Sequence, residues 1–226
     1  MITIIIPITF DVKISNVQLT INSIVNQTYK NIKIFVGLNS CISITPESIK
    51  KICINSDIYV FDNVKTKYDI LNNIISHVTD EWVGFAEPGD EWYDNKIEKQ
   101  LQYIKSYSII GCSCRFSGKK SGMPCLLYGK VNDSDFINGR AIIDNTVIMK
   151  KELCKWDTKY GIHADYKMFY KLHKKKYLCF NISELLLSCK VFEENNNDKI
   201  DIDILQKIIK KIKKELKTSE KYNYII

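Results

Sequence analysis

Arginine is almost missing from this chain of 226 residues. Only Arg115 and Arg140 stand among its 33 basic residues, and the others are lysines. The net charge is +7, but four of those charges fall after residue 198, where eight lysines and four acids lie. Proteins that bind nucleic acids usually carry a basic face in which arginine and aromatic side chains are interleaved. The composition therefore argues against a nucleic acid as partner.

The chain also lacks the patterns of several other classes of protein. Its eight cysteines are scattered, without a CxxC pair or the cysteine and histidine spacing of a zinc site. No apolar run reaches the roughly 20 residues that cross a bilayer. Met1 leads directly into the apolar stretch ITIIIP, without a basic leader. We therefore expect reduced thiols, no signal peptide and a cytoplasmic location.

Short β-branched runs alternate with helical patterns in the first part of the chain. Four runs have the length and composition of buried strands, at residues 2–7, 31–38, 57–61 and 82–85. Between them, apolar residues recur at helical spacing in residues 17–26, 44–54 and 68–78. This βαβαβαβ order predicts an α/β fold, with a mostly parallel, doubly wound sheet flanked by helices.

Polar segments follow three of the predicted strands, at residues 9–11, 39–40 and 87–91. The third belongs to the stretch EWVGFAEPGDEWYDNKIEKQ, which predicts a strand, an acidic Pro-Gly turn and a helix with Asp94 as its N-cap. Ligands of parallel α/β sheets bind at the carboxyl ends of strands, so we expect the three segments to form one site. Carboxylates on such a turn can hold a hard cation with a sugar or phosphate, although acidic turns are also common on surfaces.

Several segments resemble family 2 glycosyltransferases of GT-A fold. The opening, including SIVNQTYKN, is similar to the start of that family, and EWVGFAEPGDEWYDNKIEKQL resembles its strand, DxD turn and lysine-containing helix. The segments IDNTVIMKKEL, HADYKMFYKL and ISELLL resemble its acceptor-side strand, its acidic helix and its closing segment. These similarities keep the family's order over residues 2–192 and imply a Rossmann-like GT-A fold.

The resemblance implies transfer of a sugar, with inversion, from a nucleotide-sugar donor to an acceptor hydroxyl. We expect a UDP-linked donor, and an acceptor that is a glycan, a lipid-linked molecule or a protein. By their positions in the family's pattern, the residues expected to bind the donor are Pro7, Ile8, Thr9, Asn39, Glu87 and Lys190. An Mg or Mn ion would neutralise charge on the leaving nucleoside diphosphate.

The acceptor side of the resemblance supplies a general base. Asp165 matches the carboxylate that takes the proton from the attacking hydroxyl. Its surroundings agree, because it stands at the start of an amphipathic helical pattern, YKMFYKL. The alternative is a helix-terminal acid that is stabilised by the helix dipole.

Some positions depart from the family's pattern. Leu38 stands where an acid usually contacts the nucleoside, and Phe192 stands where a histidine often follows the closing segment. Gly89 occupies the DxD position that usually binds the metal, so Asp90 becomes the candidate metal ligand. Three explanations remain open: an active enzyme with little dependence on metal, an unusual donor, or an inactive glycosyltransferase-like module that binds sugars or partners. A nucleotidyltransferase would want a glycine-rich loop after the first strand, and PITFD lacks one.

The C-terminal part of the chain is a separate amphipathic pattern. Apolar residues line one face of residues 201–217 and lysines line the other. We expect a terminal helix that packs on the domain, with peripheral contact to an anionic membrane as the alternative. The predicted organisation is a glycosyltransferase-like domain over residues 1–192, with a donor half of about 1–110 and an acceptor half of about 111–192, followed by a polar linker and a basic helix in residues 193–226.

Overall fold

The structure is a computed structural model that describes residues 1–118, 121–122, 128–138, 141–192, 206–211 and 214. Its strands are β1 (Ile2–Ile8), β2 (Ile32–Asn39), β3 (Asp57–Phe61), β4 (Trp82–Phe85), β5 (Glu91–Trp92), β6 (Ile109–Gly118), β7 (Gly129–Lys130), β8 (Ile148–Lys150) and β9 (Cys179–Val191). Its α-helices are α1 (Ile14–Val25), α2 (Pro46–Ile52), α3 (Lys67–Ile74), α4 (Lys96–Leu101), α5 (Asp133–Asn138) and α6 (Ala164–Lys174). Short 3-10 turns occur at Ile75–His77, Asp144–Thr146, Lys151–Leu153 and Thr158–His163.

The described strands form one mixed sheet in the order β3-β2-β1-β4-β8-β6-β9-β5, with β7 paired to β9. Strand β1 runs parallel to both β2 and β4, and β2 runs parallel to β3. Strand β8 is antiparallel to β4 and to β6, so the second half of the chain extends the sheet with both strand directions. The predicted α/β fold, with its parallel first half, is confirmed.

The first strand lies inside this sheet, between β2 and β4, and all seven of its residues are buried. Because side chains alternate across a strand, Ile4 and Ile6 pack on one face against α1, while Ile5 packs on the other face in the cluster that contains α3. Both faces are therefore covered by helices, which explains why the strand is a continuous apolar run rather than an alternating one.

Several element boundaries differ from those predicted. Helix α1 begins at Ile14, three residues before the helical pattern predicted for residues 17–26. The N-cap of α4 is Asn95 and not Asp94, and the carbonyl oxygen of Asp94 instead accepts a hydrogen bond from the backbone N–H of Thr28 at 2.7 Å. That contact ties the start of α4 to the loop after α1.

The predicted C-terminal helix lies partly outside the described residues, which include only 206–211 and 214 of it. Residues 206–211 are helical, and Ile208 is buried in the core cluster that α3 and α6 share. This contact agrees with packing of the helix on the domain. Within the described part of the chain, no helix has the length and apolarity needed to cross a membrane.

Candidate active site

The ends of β1 and β2 are joined by a polar contact. The side-chain amide of Asn39 donates to the carbonyl oxygen of Thr9 at 3.0 Å, and its oxygen accepts the backbone N–H of Cys41 at 3.2 Å. Both polar atoms of Asn39 therefore hold the two loops together. The side chains of Ile8 and Leu38 are buried in the core, so only their backbone atoms face the loops.

A second contact links the same two loops. The carboxylate of Asp11 accepts hydrogen bonds from the backbone N–H and the hydroxyl of Ser43, at 2.7 and 2.6 Å. These two bonds lower the pKa of Asp11, because they stabilise its charged form. The nucleoside end of the predicted site is thus a pair of loops held by Asn39 and Asp11.

The acidic turn after β4 is organised around a buried carboxylate. Asp90 is only 1% exposed, and its Oδ2 atom accepts the backbone N–H of Glu87 at 2.9 Å and the side-chain amide of Asn145 at 3.0 Å. Its Oδ1 atom is buried without a hydrogen-bond partner among the described residues. Burial, and then the negative charge of Glu87, raise the pKa of Asp90 to about 7. Its burial in the turn therefore disfavours the charged form of Asp90.

The central glycine of the turn has no room for a side chain. Gly89 has a φ angle of +92°, which disfavours any residue with a Cβ atom. A Cβ atom at this position would lie 2.8 Å from Cδ and 2.9 Å from Cβ of Lys190, and 3.2 Å from the ring of Phe192. The space that a metal-binding aspartate would use is thus filled by two side chains from the end of β9.

A lysine that the sequence analysis did not single out lies between two carboxylates of this region. The ammonium group of Lys67 forms an ion pair with Glu87 and another with Asp144, whose Oδ2 lies 2.6 Å from Nζ. The hydroxyl of Tyr68 donates to the same Asp144 oxygen at 3.2 Å. Although burial acts to lower it, the charges of Asp144 and Glu87 raise the pKa of Lys67 well above its usual value. Lys67 is therefore a permanent cation in the site.

A small cleft opens between the end of β1 and the acidic turn. Its lining residues are Pro7, Lys67, Leu71, Phe85, Ala86, Glu87, Asp144 and Asn145. Of the residues predicted to bind a donor, Pro7 and Glu87 meet here, whereas Asn39 and Lys190 lie outside the lining. The sequence analysis predicted neither Lys67 nor Asp144 as a site residue. Asp144 does lie within IDNTVIMKKEL, a segment whose resemblance to the family's acceptor-side strand pointed to this region.

The residues present do not fit a divalent metal ion. The position that would supply a ligand is Gly89, Glu87 is already paired with Lys67, and the Oδ2 atom of the buried Asp90 is hydrogen-bonded to Glu87 and Asn145. Among the described residues, no group of three or more histidine, cysteine, aspartate or glutamate side chains is arranged to hold a metal. The metal-ligand role of Asp90 stays a prediction, because its one free oxygen, Oδ1, does not make a metal site without further ligands.

Asp165 lies in the first turn of α6 and is fully buried. Its charge is among those that raise the pKa of Lys67, so it shares the electrostatic environment of Glu87 and Asp144. Position and environment both suit the predicted general base. Its burial means that an acceptor reaches the carboxylate only after the surrounding residues rearrange.

Comparisons with known proteins identify the family of the chain. The model of the family described as "Glycosyl transferase family 2" matches residues 3–125, more than half of the chain. None of the curated proteins matches the chain.

Solved structures resemble the chain in fold. They include S. aureus TarS 1-349 in complex with UDP, with a TM-score of 0.65, 14% sequence identity, and coverage of 84% of this chain and 60% of that one. TarS 1-349 in complex with UDP-GlcNAc has a TM-score of 0.66 and 14% sequence identity, and the match covers 86% of this chain and 59% of that one. The mannosyltransferase PcManGT from Pyrobaculum calidifontis, in complex with GDP-Man and Mn²⁺, has a TM-score of 0.62 and 14% sequence identity. The match covers 87% of this chain and 58% of that one. The chain thus spans about three fifths of the length of each of these solved chains.

Proposed function

The chain belongs to glycosyl transferase family 2 and has the GT-A fold, and from this premise we propose that it transfers a sugar from a nucleotide-sugar donor to an acceptor hydroxyl. The observation that carries the proposal is the cleft where Pro7 at the end of β1 meets Glu87 on the acidic turn. This is the carboxyl edge of parallel strands, where ligands of such sheets bind. UDP is our first choice of nucleotide, since UDP and UDP-GlcNAc are bound in the related TarS structures.

The proposed reaction needs a base, a nucleophile and a leaving group. Asp165 takes the proton from the acceptor hydroxyl, whose oxygen forms the new bond to the anomeric carbon. The bond from that carbon to the diphosphate breaks on the opposite face, so the configuration inverts and the nucleoside diphosphate leaves with the electron pair. The nucleoside is positioned by the loops that contain Pro7, Ile8, Thr9 and Asn39. Glu87 contacts the ribose.

A second candidate function is a module that binds nucleotide or sugar without catalysis. The full burial of Asp165 favours it, because an acceptor could reach this base only if the surrounding residues rearranged. Leu38, which is buried in the core, also leaves the nucleoside end with fewer polar side chains.

One experiment separates the two functions. Release of nucleoside diphosphate is measured from UDP-GlcNAc, UDP-glucose and GDP-mannose, for the wild type, Asp165→Asn and the exposed control Asp62→Asn. A transferase releases the nucleotide with one donor, and Asp165→Asn lowers that rate by roughly 10²-fold or more while Asp62→Asn does not. Binding of a nucleotide without any release would support the module, and an equal rate for Asp165→Asn would reject Asp165 as the base.

We further propose that residues 1–192 form the catalytic domain and that residues 193–226 follow it as linker and helix. The buried position of Ile208 supports a helix that packs on the domain. Contact with an anionic membrane, where a lipid-linked acceptor would be held, is the alternative for residues 201–217. Co-sedimentation with vesicles of anionic and of neutral lipid distinguishes them, because only membrane contact gives binding that depends on lipid charge.

A further inference from the structure

The ammonium group of Lys190 lies beside the acidic turn and forms no ion pair with any of the described residues. Lys190 lies near the end of β9, and its Nζ atom donates to the side-chain oxygen of Asn16 at 3.0 Å. Within the described residues, Asn16 is its only hydrogen-bond acceptor, and no carboxylate forms an ion pair with it. A lysine ammonium has three N–H donors, so two of them remain for a ligand.

The hydrocarbon part of the same side chain fixes where that cation lies. It covers Gly89 so closely that a Cβ atom there would be 2.8 Å from Cδ of Lys190. The ring of Phe192 lies beside it, with its centroid 5.5 Å from Nζ, and Phe10 packs edge-on against Phe192 at 5.8 Å between centroids. Lys190 is therefore held over the turn by packing on both sides, in the space where a side chain of residue 89 would otherwise reach.

The carboxylates at the turn are already engaged by groups of the chain. The ammonium group of Lys67 pairs with Glu87 and with Asp144, and the Oδ2 atom of Asp90 accepts two hydrogen bonds. Gly89 supplies no side-chain ligand, and Lys190 lies over it with donors that no carboxylate among the described residues uses. A divalent cation would therefore find few free oxygen ligands here, whereas a phosphate oxygen could accept hydrogen bonds from the Lys190 ammonium group.

We propose that Lys190 takes the place of the divalent metal ion in this chain, so that the donor diphosphate binds to its ammonium group without metal. This inference rests on the proposed function, since it assumes that the ligand is a nucleoside diphosphate. It deepens that function by naming the group that neutralises the leaving phosphate. Lysine suits the role because it acts as a compact point charge with several donors.

The test is titration calorimetry of the whole chain with UDP, GDP, CDP and dTDP, each in EDTA and in MnCl₂. The variant Lys190→Met removes the charge but keeps the hydrocarbon that covers Gly89, so the fold should survive. Lys190→Arg restores a cation, and Lys105→Met is a control of the same charge change at an exposed site with no contact to the turn. Thermal unfolding of each variant checks that it is folded.

We expect one nucleotide to bind with an affinity that agrees within about threefold between EDTA and MnCl₂. Lys190→Met should weaken that binding by roughly 10- to 100-fold in EDTA, while Lys190→Arg restores most of it and Lys105→Met changes nothing. Binding that requires MnCl₂ would overturn the inference and leave the proposed function standing, as would an unchanged affinity of Lys190→Met. If no nucleotide binds the folded wild type in either medium, the proposed donor site itself is rejected.

Discussion

Replacing Lys67 with methionine should destabilise the protein, because the buried carboxylate of Asp144 loses its ion-pair partner. The side chain of Asp144 is only 6% exposed and that of Lys67 is 23% exposed, whereas Glu87 is 36% exposed. Removing one partner of a buried ion pair costs about 3–5 kcal/mol. Asp144 keeps the hydrogen bond from Tyr68 in the variant, so we expect losing the pair with Asp144 to cost about 2–3 kcal/mol of stability. Losing the more exposed pair with Glu87 should cost less than about 1 kcal/mol.

Chemical denaturation at neutral pH measures this loss, with Lys65→Met as a control at an exposed neighbouring lysine. The pKa of Lys67 is raised above its ordinary 10.5, so its stabilising contribution is fully present at neutral pH and is lost only as the pH rises beyond that value. A Lys67→Met variant that is as stable as Lys65→Met at pH 7 would refute the reasoning.

Three further substitutions give predictions of known sign. Burial lowers the pKa of Lys96 to about 8, so its charged form destabilises the folded chain below that pH. Lys96→Met should therefore match or exceed the wild type in stability below pH 8, by up to about 3 kcal/mol. Denaturation at several pH values should show this difference in stability shrinking as the pH rises toward 10.5. Burial raises the pKa of Asp90 to about 7, so its charged form destabilises the folded chain above that pH. Asp90→Asn should therefore be more stable than the wild type by about 1–3 kcal/mol at pH 8 and by little at pH 4. A variant that is less stable than the wild type at pH 8 would contradict this. Gly89→Ala should lose about 2–4 kcal/mol in thermal unfolding, because it combines a positive φ with a clash against Lys190, and unchanged stability would mean that the turn can move away.

The fold was predictable from the sequence to the extent that it depends on local composition. The strands at residues 2–8 and 82–85 are apolar, β-branched or aromatic runs, and their burial on both faces leaves a continuous pattern that is easy to recognise. The start of α4 was not predictable to the residue, because the carbonyl of Asp94 is used by Thr28 from a distant part of the chain. Helix caps chosen by tertiary contacts leave no mark in the local sequence.

The candidate site divides in the same way. Glu87 and Asp90 follow a strand directly, so the sequence places them at its carboxyl end. Their partners come from elsewhere: Lys67 from the start of α3, and Asn145 from the turn before β8. A sequence pattern shows which carboxylates reach the turn, but it cannot show which of them the folded chain has already neutralised.

That distinction decides what the turn can bind. Three acids in five residues suggest a site for a cation, and a DxD-like reading leads to the same expectation. In the folded chain, however, Glu87 has a lysine partner and Asp90 is buried with a raised pKa. Lys190 lies over the turn and has no ion-pair partner among the described residues. The position of Lys190 over Gly89, with donors left for a ligand, is what supports our proposal of an anionic ligand here.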